Sequence, residues 1–196
     1  MIKRSEAMAN ESIVELDALA LSRAIHAREL SCREVMQAYL QQIERYNPGV
    51  NALVSLCDPQ DLLAQADERD RQLDRGQSMG WMHGMPQAIK DLAATAGLAT
   101  SMGSPLFADQ VPQVDAISVA RVRASGAIIV GKSNVPEFGL GSHTYNQLFG
   151  TTGNAYDRSL SAGGSSGGAA VALALRMLPV ADGSDMMGSL RNPAAF

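Results

Sequence analysis

The chain has 196 residues, of which 46% are hydrophobic and 18% are charged, and its formal net charge is −4. A chain of this length and composition is expected to form one globular domain with a hydrophobic core, not a disordered segment. Its slightly acidic balance provides no broad positive field, which argues against binding to nucleic acid or to an anionic membrane surface.

Other general features predict a cytoplasmic protein. No apolar run reaches the roughly 18 residues of a membrane-spanning helix, and the charged N-terminus lacks the apolar stretch of a secretory signal. Cys32 and Cys57 are too few for a disulfide scaffold or a cysteine metal site. We expect them to be small buried side chains in a reducing compartment.

Hydrophobic periodicity and turn residues predict an alternation of helices and strands. Helices are predicted over 17–28, 31–47, 58–76, 115–125 and 167–177, and strands over 51–57, 88–91, 127–130 and 179–181. Ser31 with Glu34 forms a capping-box pattern for the second helix, and Asp58 with Pro59 marks the start of the third. The charged residues at 67–71 are predicted to be a solvated face. The alternation as a whole favours a layered α/β fold.

The glycines divide the chain into two parts. Twelve of the 18 lie between Gly126 and Gly188. Glycine is favoured where the backbone turns sharply or approaches a ligand closely, so chemistry is expected in that region. We therefore predict a single domain over 1–196, with a mainly helical lead-in at 1–76 and an α/β part at 77–196 that carries the catalytic motifs.

Residues 126–133 match the phosphate-binding pattern G-x-x-x-x-G-K-[ST]. A phosphate loop has to follow a strand and open a helix, whereas here an apolar, β-branched run follows a helix. Pro136 also disfavours a helical conformation at Val135. We therefore predict a buried strand that ends in a turn at Gly131, and no nucleotide site at Lys132.

Two glycine-rich turns carry serines, Gly-Gly-Ser-Ser-Gly-Gly at 163–168 and Asp-Gly-Ser-Asp-Met-Met-Gly-Ser at 182–189. Glycines beside a serine expose its hydroxyl and can aim N–H groups at a developing oxyanion. A serine becomes a good nucleophile only when a base removes its proton. The three histidines lie outside any Gly-x-Ser-x-Gly setting. Lys90 in an apolar strand is the better candidate, because burial lowers the pKa of a lysine.

These residues resemble the amidase signature family, serine hydrolases of amide bonds that use a Ser–cis-Ser–Lys triad. The likeness extends from about residue 31 to the last residue. It includes His-Gly-Met-Pro-Gln-Ala-Ile-Lys-Asp at 83–91, Gly-Lys-Ser-Asn-Val-Pro-Glu-Phe at 131–138, the serine turn at 163–168 and Gly-Ser-Leu-Arg-Asn-Pro-Ala at 188–194. The resemblance implies an α/β/α layered fold with a mixed central sheet.

The resemblance also implies a role for individual residues. Carried over position by position, Ser189 is the nucleophile, Ser165 the bridging serine in a cis peptide bond, and Lys90 the base. The two serines are 24 residues apart, which fits the family. The backbone N–H groups that would form the oxyanion hole are those of Met186, Met187, Gly188 and Ser189. No metal and no organic cofactor is implied.

The chain departs from the family pattern in two respects. Many members have Thr-Gly-Gly or Gly-Gly-Gly before the nucleophile, whereas this chain has Met-Met-Gly at 186–188, and the larger side chains would reshape the acyl pocket. The chain also stops at Phe196, seven residues after Ser189. We therefore expect a fold that is incomplete at its C-terminus, and an isolated chain that is poorly soluble or weakly active.

The implied function is an amidase that hydrolyses a small carboxylic amide to an acid and ammonia or an amine, through a serine acyl-enzyme. No nucleic acid or membrane is expected as a partner, and a homodimer stays open. Two alternatives stay open as well. One is the A subunit of a tRNA-dependent amidotransferase, which shares the signature and works with partner proteins. The other is a truncated, catalytically silent fragment.

Overall fold

A computed structural model describes residues 12–196. The prediction that the N-terminus carries no secretory signal concerns residues 1–11, which lie outside the described part. The helices are α1 (Ala18–His26), α2 (Cys32–Val50), α3 (Pro59–Asp74), α4 (Ile117–Ala124) and α5 (Gly167–Ala174). The strands are β1 (Leu53–Val54), β2 (Pro86–Lys90), β3 (Ile128–Ser133), β4 (Tyr145–Asn146) and β5 (Gly150–Thr151). Short 3-10 helices span Pro105–Phe107, Glu137–Gly139 and Pro193–Ala195.

The predicted helix starts are confirmed by their caps. The Ser31 hydroxyl accepts the Glu34 N–H at 3.1 Å, and the Glu34 carboxylate accepts the Ser31 N–H at 2.9 Å, which is the capping box. Asp58 accepts the Gln60 N–H at 2.7 Å ahead of Pro59. Each pair satisfies N–H groups that the first turn of a helix leaves without a partner, so these starts follow from residues two or three positions apart.

The second helix ends later than the sequence predicts. α2 continues through Pro48 to Val50, because the Asn51 N–H still reaches the Asn47 carbonyl at 2.8 Å and Asn51 adopts a left-handed conformation with φ of 53°. The side chain of Asn47 then accepts the Leu53 N–H at 2.8 Å. Asn47 therefore joins the end of α2 to the start of β1.

The central sheet has the order β1-β3-β2, with β2 parallel to β3 and β1 antiparallel to it. It is therefore a mixed sheet, as the resemblance implies. Its two faces are covered by different helices. Ala88, Ile128 and Val130 join the large core that α2, α3 and α5 contribute to, whereas Ile89 and Ile129 pack with Val119 of α4. This layering confirms the predicted α/β/α fold class.

The predicted turn at Gly131 is wrong, since β3 continues through Gly131 to Ser133. Val54 of the neighbouring strand passes so close that a Cβ at Gly131 would lie 3.0 Å from the Val54 carbonyl oxygen. The glycine therefore serves strand contact and not chain reversal. Lys132 lies within the strand and is fully buried, which confirms that the phosphate-loop pattern at 126–133 is not a loop opening a helix.

One further local prediction is wrong, and another holds only in part. No strand forms over 179–181, where the Asp182 side chain takes the Lys90 N–H at 2.8 Å in place of a main-chain carbonyl. The charged face at 67–71 is only partly solvated, because Asp70 accepts the N–H groups of Cys32 and Arg33 at 2.7 and 3.1 Å. Asp70 thus caps α2 from another helix.

Over residues 12–196, no helix combines the length and apolarity needed to cross a membrane.

Candidate active site

Lys90 lies at the end of β2 on the face covered by the large core, and it is 2% exposed. Its ammonium nitrogen Nζ is 2.9 Å from the Ser165 hydroxyl oxygen and 2.7 Å from that of Ser166. It also lies 3.0 Å from the hydroxyl and 3.1 Å from the carbonyl oxygen of Ser184. Nζ is therefore surrounded by neutral oxygen partners.

Ser165 is positioned by the tight turn that leads into α5. The Gly164–Ser165 peptide bond is cis. The Thr144 side chain spans the turn, donating to the Gly163 carbonyl at 2.8 Å and accepting the Gly167 N–H at 3.1 Å. Gly164 is required there because any Cβ would lie 2.9 Å from the backbone of His143. The glycines of the motif thus allow close backbone packing that aims Ser165 at Lys90.

The environment of Lys90 lowers its pKa to about 8. Burial is the main cause because it disfavours the charged form, and the negative charges of Asp182 and Asp185 act in the opposite direction. A lysine with this pKa is partly neutral near pH 7 to 8. Its free electron pair can then accept a proton from the Ser165 hydroxyl.

Asp185 organises the segment that contains Ser189. Its carboxylate accepts the N–H groups of Gly188 at 2.6 Å and Leu190 at 3.1 Å. It also accepts two hydrogen bonds of 3.0 Å from the Arg191 guanidinium. That hydrogen-bonded arginine holds the pKa of Asp185 well below its ordinary value. The segment is therefore folded around one ionised carboxylate.

Ser189 lies beside the lysine site but is not joined to it. Its carbonyl accepts the Ser166 N–H at 3.1 Å, which ties the two turns together. Within residues 12–196, the Ser189 hydroxyl makes no hydrogen bond to Ser165 or Lys90. The structure thus brings together two of the three residues predicted to form the triad, and it holds the third on an adjoining turn.

The four N–H groups predicted for an oxyanion hole differ in their present partners. The Gly188 N–H is taken by Asp185. In the described part of the chain, those of Met186, Met187 and Ser189 donate no hydrogen bond and remain available to a ligand. Both methionine side chains are exposed, at 82% and 88%.

A cleft of about 230 Å³ opens beside Ser189. Its apolar lining comes from Leu140, Met186 and Met187, and Gly164 of the serine turn also lines it. None of its described lining residues carries an ionisable side chain. The cleft therefore suits a neutral, partly apolar group held against the Ser189 hydroxyl.

Sequence reasoning missed several residues of this site. Ser166 and Ser184 contact Lys90 as closely as Ser165 does, and Asp182 and Asp185 supply the charges around it. The doubled serine at 165–166 was a usable signal, because both hydroxyls adjoin the N-terminus of one helix. No local pattern points to Asp182, whose partner lies 92 residues away along the chain.

Lys132 has a different environment from that of Lys90. Its Nζ donates to the Ala93 carbonyl at 2.7 Å and to the hydroxyls of Thr95 and Thr100 at 2.8 and 3.1 Å, and the Asp91 carboxylate is 3.9 Å away.

Among residues 12–196, no group of three or more His, Cys, Asp or Glu side chains is arranged to hold a metal ion.

Comparisons with known proteins agree with this architecture. The profile of the family Amidase matches residues 34–196. The chain is 40% identical over 184 residues to the A subunit of glutamyl-tRNA(Gln) amidotransferase from Alkaliphilus metalliredigens, covering 94% of this chain and 37% of that protein. It is 38% identical over 189 residues to an acylamidase of Rhodococcus erythropolis, covering 96% and 39%.

A solved structure gives the same result for the fold. The peptide amidase of Stenotrophomonas maltophilia superposes with a TM-score of 0.84 and is 38% identical, over 92% of this chain and 38% of that one. The chain thus spans about two-fifths of the length of these relatives. A family profile that covers most of the chain, together with relatives and a solved structure of the same kind, shows that the chain belongs to the amidase signature family.

Proposed function

We propose that this chain carries the catalytic residues of a serine amidase that hydrolyses small carboxylic amides, with Ser189 as nucleophile, Ser165 as bridging serine and Lys90 as base. The contact of 2.9 Å between Lys90 Nζ and the Ser165 hydroxyl carries the proposal. It joins a buried lysine, whose pKa is lowered to about 8, to a hydroxyl on the turn that adjoins Ser189. A proton acceptor of this kind is what a serine nucleophile needs.

The proton route follows from these contacts. Neutral Lys90 accepts the proton of the Ser165 hydroxyl, and Ser165 in turn accepts the proton of Ser189 as its oxygen attacks the amide carbonyl. This step requires the Ser189 hydroxyl to come within hydrogen-bond distance of the Ser165 oxygen. The lysinium then returns a proton to the departing ammonia or amine, and water hydrolyses the resulting ester on Ser189.

Charge that develops on the carbonyl oxygen needs donors near Ser189. The free N–H groups of Met186, Met187 and Ser189 are suitable, since donors without a present partner lose no other bond when they receive an oxyanion. The Gly188 N–H would have to leave Asp185 to contribute.

The cleft beside Ser189 favours a neutral acyl group. Its apolar lining of Leu140, Met186 and Met187 can bury an aliphatic or aromatic acyl chain. A charged acyl group would find no opposite charge among the described lining residues. This feature favours an amidase over glutamine hydrolysis, because glutamine carries both an ammonium and a carboxylate.

A role as part of an amidotransferase remains the second candidate, since the relative from Alkaliphilus metalliredigens is 40% identical. Such a protein would release ammonia from glutamine and would act together with partner proteins. A panel of hexanamide, benzamide and glutamine, with ammonia as the product measured, separates the two. Hydrolysis of the neutral amides supports the amidase, whereas hydrolysis of glutamine alone supports the amidotransferase.

Acylation of the chain provides a direct test of the nucleophile. A fluorophosphonate is expected to add once to the wild-type chain, as shown by intact mass, and peptide mapping should place the adduct on Ser189. Ser189→Ala should prevent the addition and lower amide turnover by about 10⁴-fold or more. Single-turnover labelling remains measurable even when turnover is slow.

Ser142→Ala is a matched control, because Ser142 lines the same cleft without contacting Lys90. It should keep labelling and turnover. Equal labelling of wild type and Ser189→Ala would overturn the assignment of the nucleophile. A folded wild-type chain that is neither labelled nor active on any amide would support the catalytically silent alternative.

A further inference from the structure

Asp182 makes an unusual contact with the candidate base. Its carboxylate oxygen Oδ1 accepts the main-chain N–H of Lys90 at 2.8 Å, at the edge of β2 that faces away from β3. A neighbouring strand would normally supply a main-chain carbonyl at such an edge. Here the Asp182 carboxylate takes that place. The N–H that it accepts belongs to the same lysine whose ammonium group contacts Ser165.

The charge of Asp182 is not neutralised by a close partner. Within residues 12–196, its carboxylate forms no ion pair, whereas Asp185 is paired with Arg191 at 3.0 Å and Asp91 lies 3.9 Å from Lys132. The charged groups that act on Asp182 are Lys132, with the larger effect, and Lys90. Those that face Lys90 are Asp182, with the larger effect, and Asp185.

We propose that Asp182 is a positioning residue that holds the end of β2 through the Lys90 N–H, and that its negative charge sets the pH above which Lys90 is neutral. The functional part of this inference rests on the amidase chemistry proposed above. The direct partners of the Lys90 ammonium are hydroxyls and a carbonyl. Of the two charges that act on it, that of Asp182 has the larger effect.

The two effects on Lys90 oppose each other. Burial favours the neutral amine that accepts a proton, whereas a nearby carboxylate favours the lysinium that forms once the proton has arrived. Asp182 would therefore stabilise the charge that develops on Lys90 during attack by Ser189. Removing that charge should make Lys90 neutral over a wider pH range and at the same time a weaker base.

Two substitutions separate the hydrogen bond from the charge. Asp182→Asn keeps an oxygen that can accept the Lys90 N–H but removes the negative charge, whereas Asp182→Ala removes both. Asp157→Asn provides the matched control, because it changes the net charge equally at an exposed carboxylate whose own contacts are to Ser159.

The readout is the titration of Lys90 itself, followed by NMR on protein with ¹³C- and ¹⁵N-labelled lysine side chains and assigned with Lys90→Arg. Asp182→Asn should lower the midpoint of Lys90 by about one pH unit, and Asp157→Asn should leave it unchanged. A midpoint in Asp182→Asn that stays within about 0.2 units of wild type would overturn the inference.

This measurement does not require turnover, so it distinguishes failure of the inference from failure of the proposed function. If Asp182→Asn shifts the Lys90 titration but amide turnover does not depend on Ser189, the result supports the electrostatic role of Asp182 and not the amidase assignment. The converse result is also informative. If turnover depends on Ser189 but Asp182→Asn does not move the acid side of the pH profile of kcat/KM, this inference is overturned and the amidase assignment stands.

Discussion

Two buried lysines on neighbouring parallel strands show how little a lowered pKa says by itself. Lys90 of β2 and Lys132 of β3 are both almost inaccessible, and burial lowers the pKa of each to about 8. In the register of the sheet, Lys132 is paired with Ile89 and not with Lys90. Since paired residues share a face, the two side chains point to opposite faces of the sheet.

The partners on the two faces differ in charge. The Lys132 ammonium lies 3.9 Å from the Asp91 carboxylate, which is itself fully buried and bonded to the Ser101 hydroxyl at 2.6 Å. Lys90 contacts serine hydroxyls and a carbonyl on a turn that adjoins an open cleft. A carboxylate within ion-pair distance favours the charged form of Lys132, which suits a structural role, whereas the direct partners of Lys90 are neutral groups beside an open cleft.

The largest expected effect is on catalysis, and it should separate the two lysines. Lys90→Met should lower kcat/KM by about 10³-fold or more, because it removes the base, while the thermal midpoint changes little. Lys132→Met should keep kcat/KM per folded molecule within a few-fold of wild type. The measurement is amide turnover normalised to the folded fraction from circular dichroism.

Equal losses of kcat/KM in the two folded variants would contradict this distinction. Binding of ATP that disappears in Lys132→Met would contradict the rejection of the phosphate-loop pattern at 126–133. In the structure Lys132 is fully buried within β3, so no such binding is expected.

The second expected effect is on stability, and it reverses the order of the two lysines. Lys132→Met leaves the buried Asp91 carboxylate without its cation, which should cost about 3–5 kcal/mol of unfolding free energy. Lys90→Met should cost much less, since the serine hydroxyls around it can bond to one another. Urea unfolding of both variants measures the difference, and a more stable Lys132→Met would show that Asp91 is protonated in the native protein.

The features that could be predicted from the sequence were those that depend on residues close together along the chain. The capping box of Ser31 and Glu34 and the Asp58 cap join residues two or three positions apart, and both are found in the structure. The α/β alternation likewise follows from local periodicity. Lys90 and Ser165 were found together only through the family resemblance, because 75 residues separate them.

The features that could not be predicted depend on distant partners. β3 continues through Gly131 because Val54 of β1 packs against that glycine. Asp70 has a structural role only because α2 starts beside it, 38 residues earlier in the chain. The segment at 179–181 has strand-like residues, yet Asp182 takes the bond that would have joined it to β2. Local propensity cannot anticipate any of these contacts.

A smaller effect concerns pH, and it tests whether Lys90 is the titrating base. Only neutral Lys90 can accept a proton, and its neutral fraction rises as pH increases through about 8. The kcat/KM should therefore rise about tenfold per pH unit below that midpoint and level off above it. Lys132→Met should leave the midpoint of this pH profile unchanged. A midpoint that shifts in Lys132→Met would instead assign the base to Lys132, on the other face of the sheet.

The smallest expected effect is the coupling between Lys132 and Asp91. Asp91→Asn removes the charge but can keep accepting the Ser101 N–H, now 3.2 Å from Asp91 Oδ1. In the double variant with Lys132→Met no charge remains unpaired, so its loss of stability should be smaller than the sum of the two single losses by about 1–2 kcal/mol. Urea unfolding of the four proteins gives this coupling. Strict additivity would mean that the distance of 3.9 Å between Lys132 and Asp91 carries no ion-pair energy, and that the two lysines differ only in their access to the cleft.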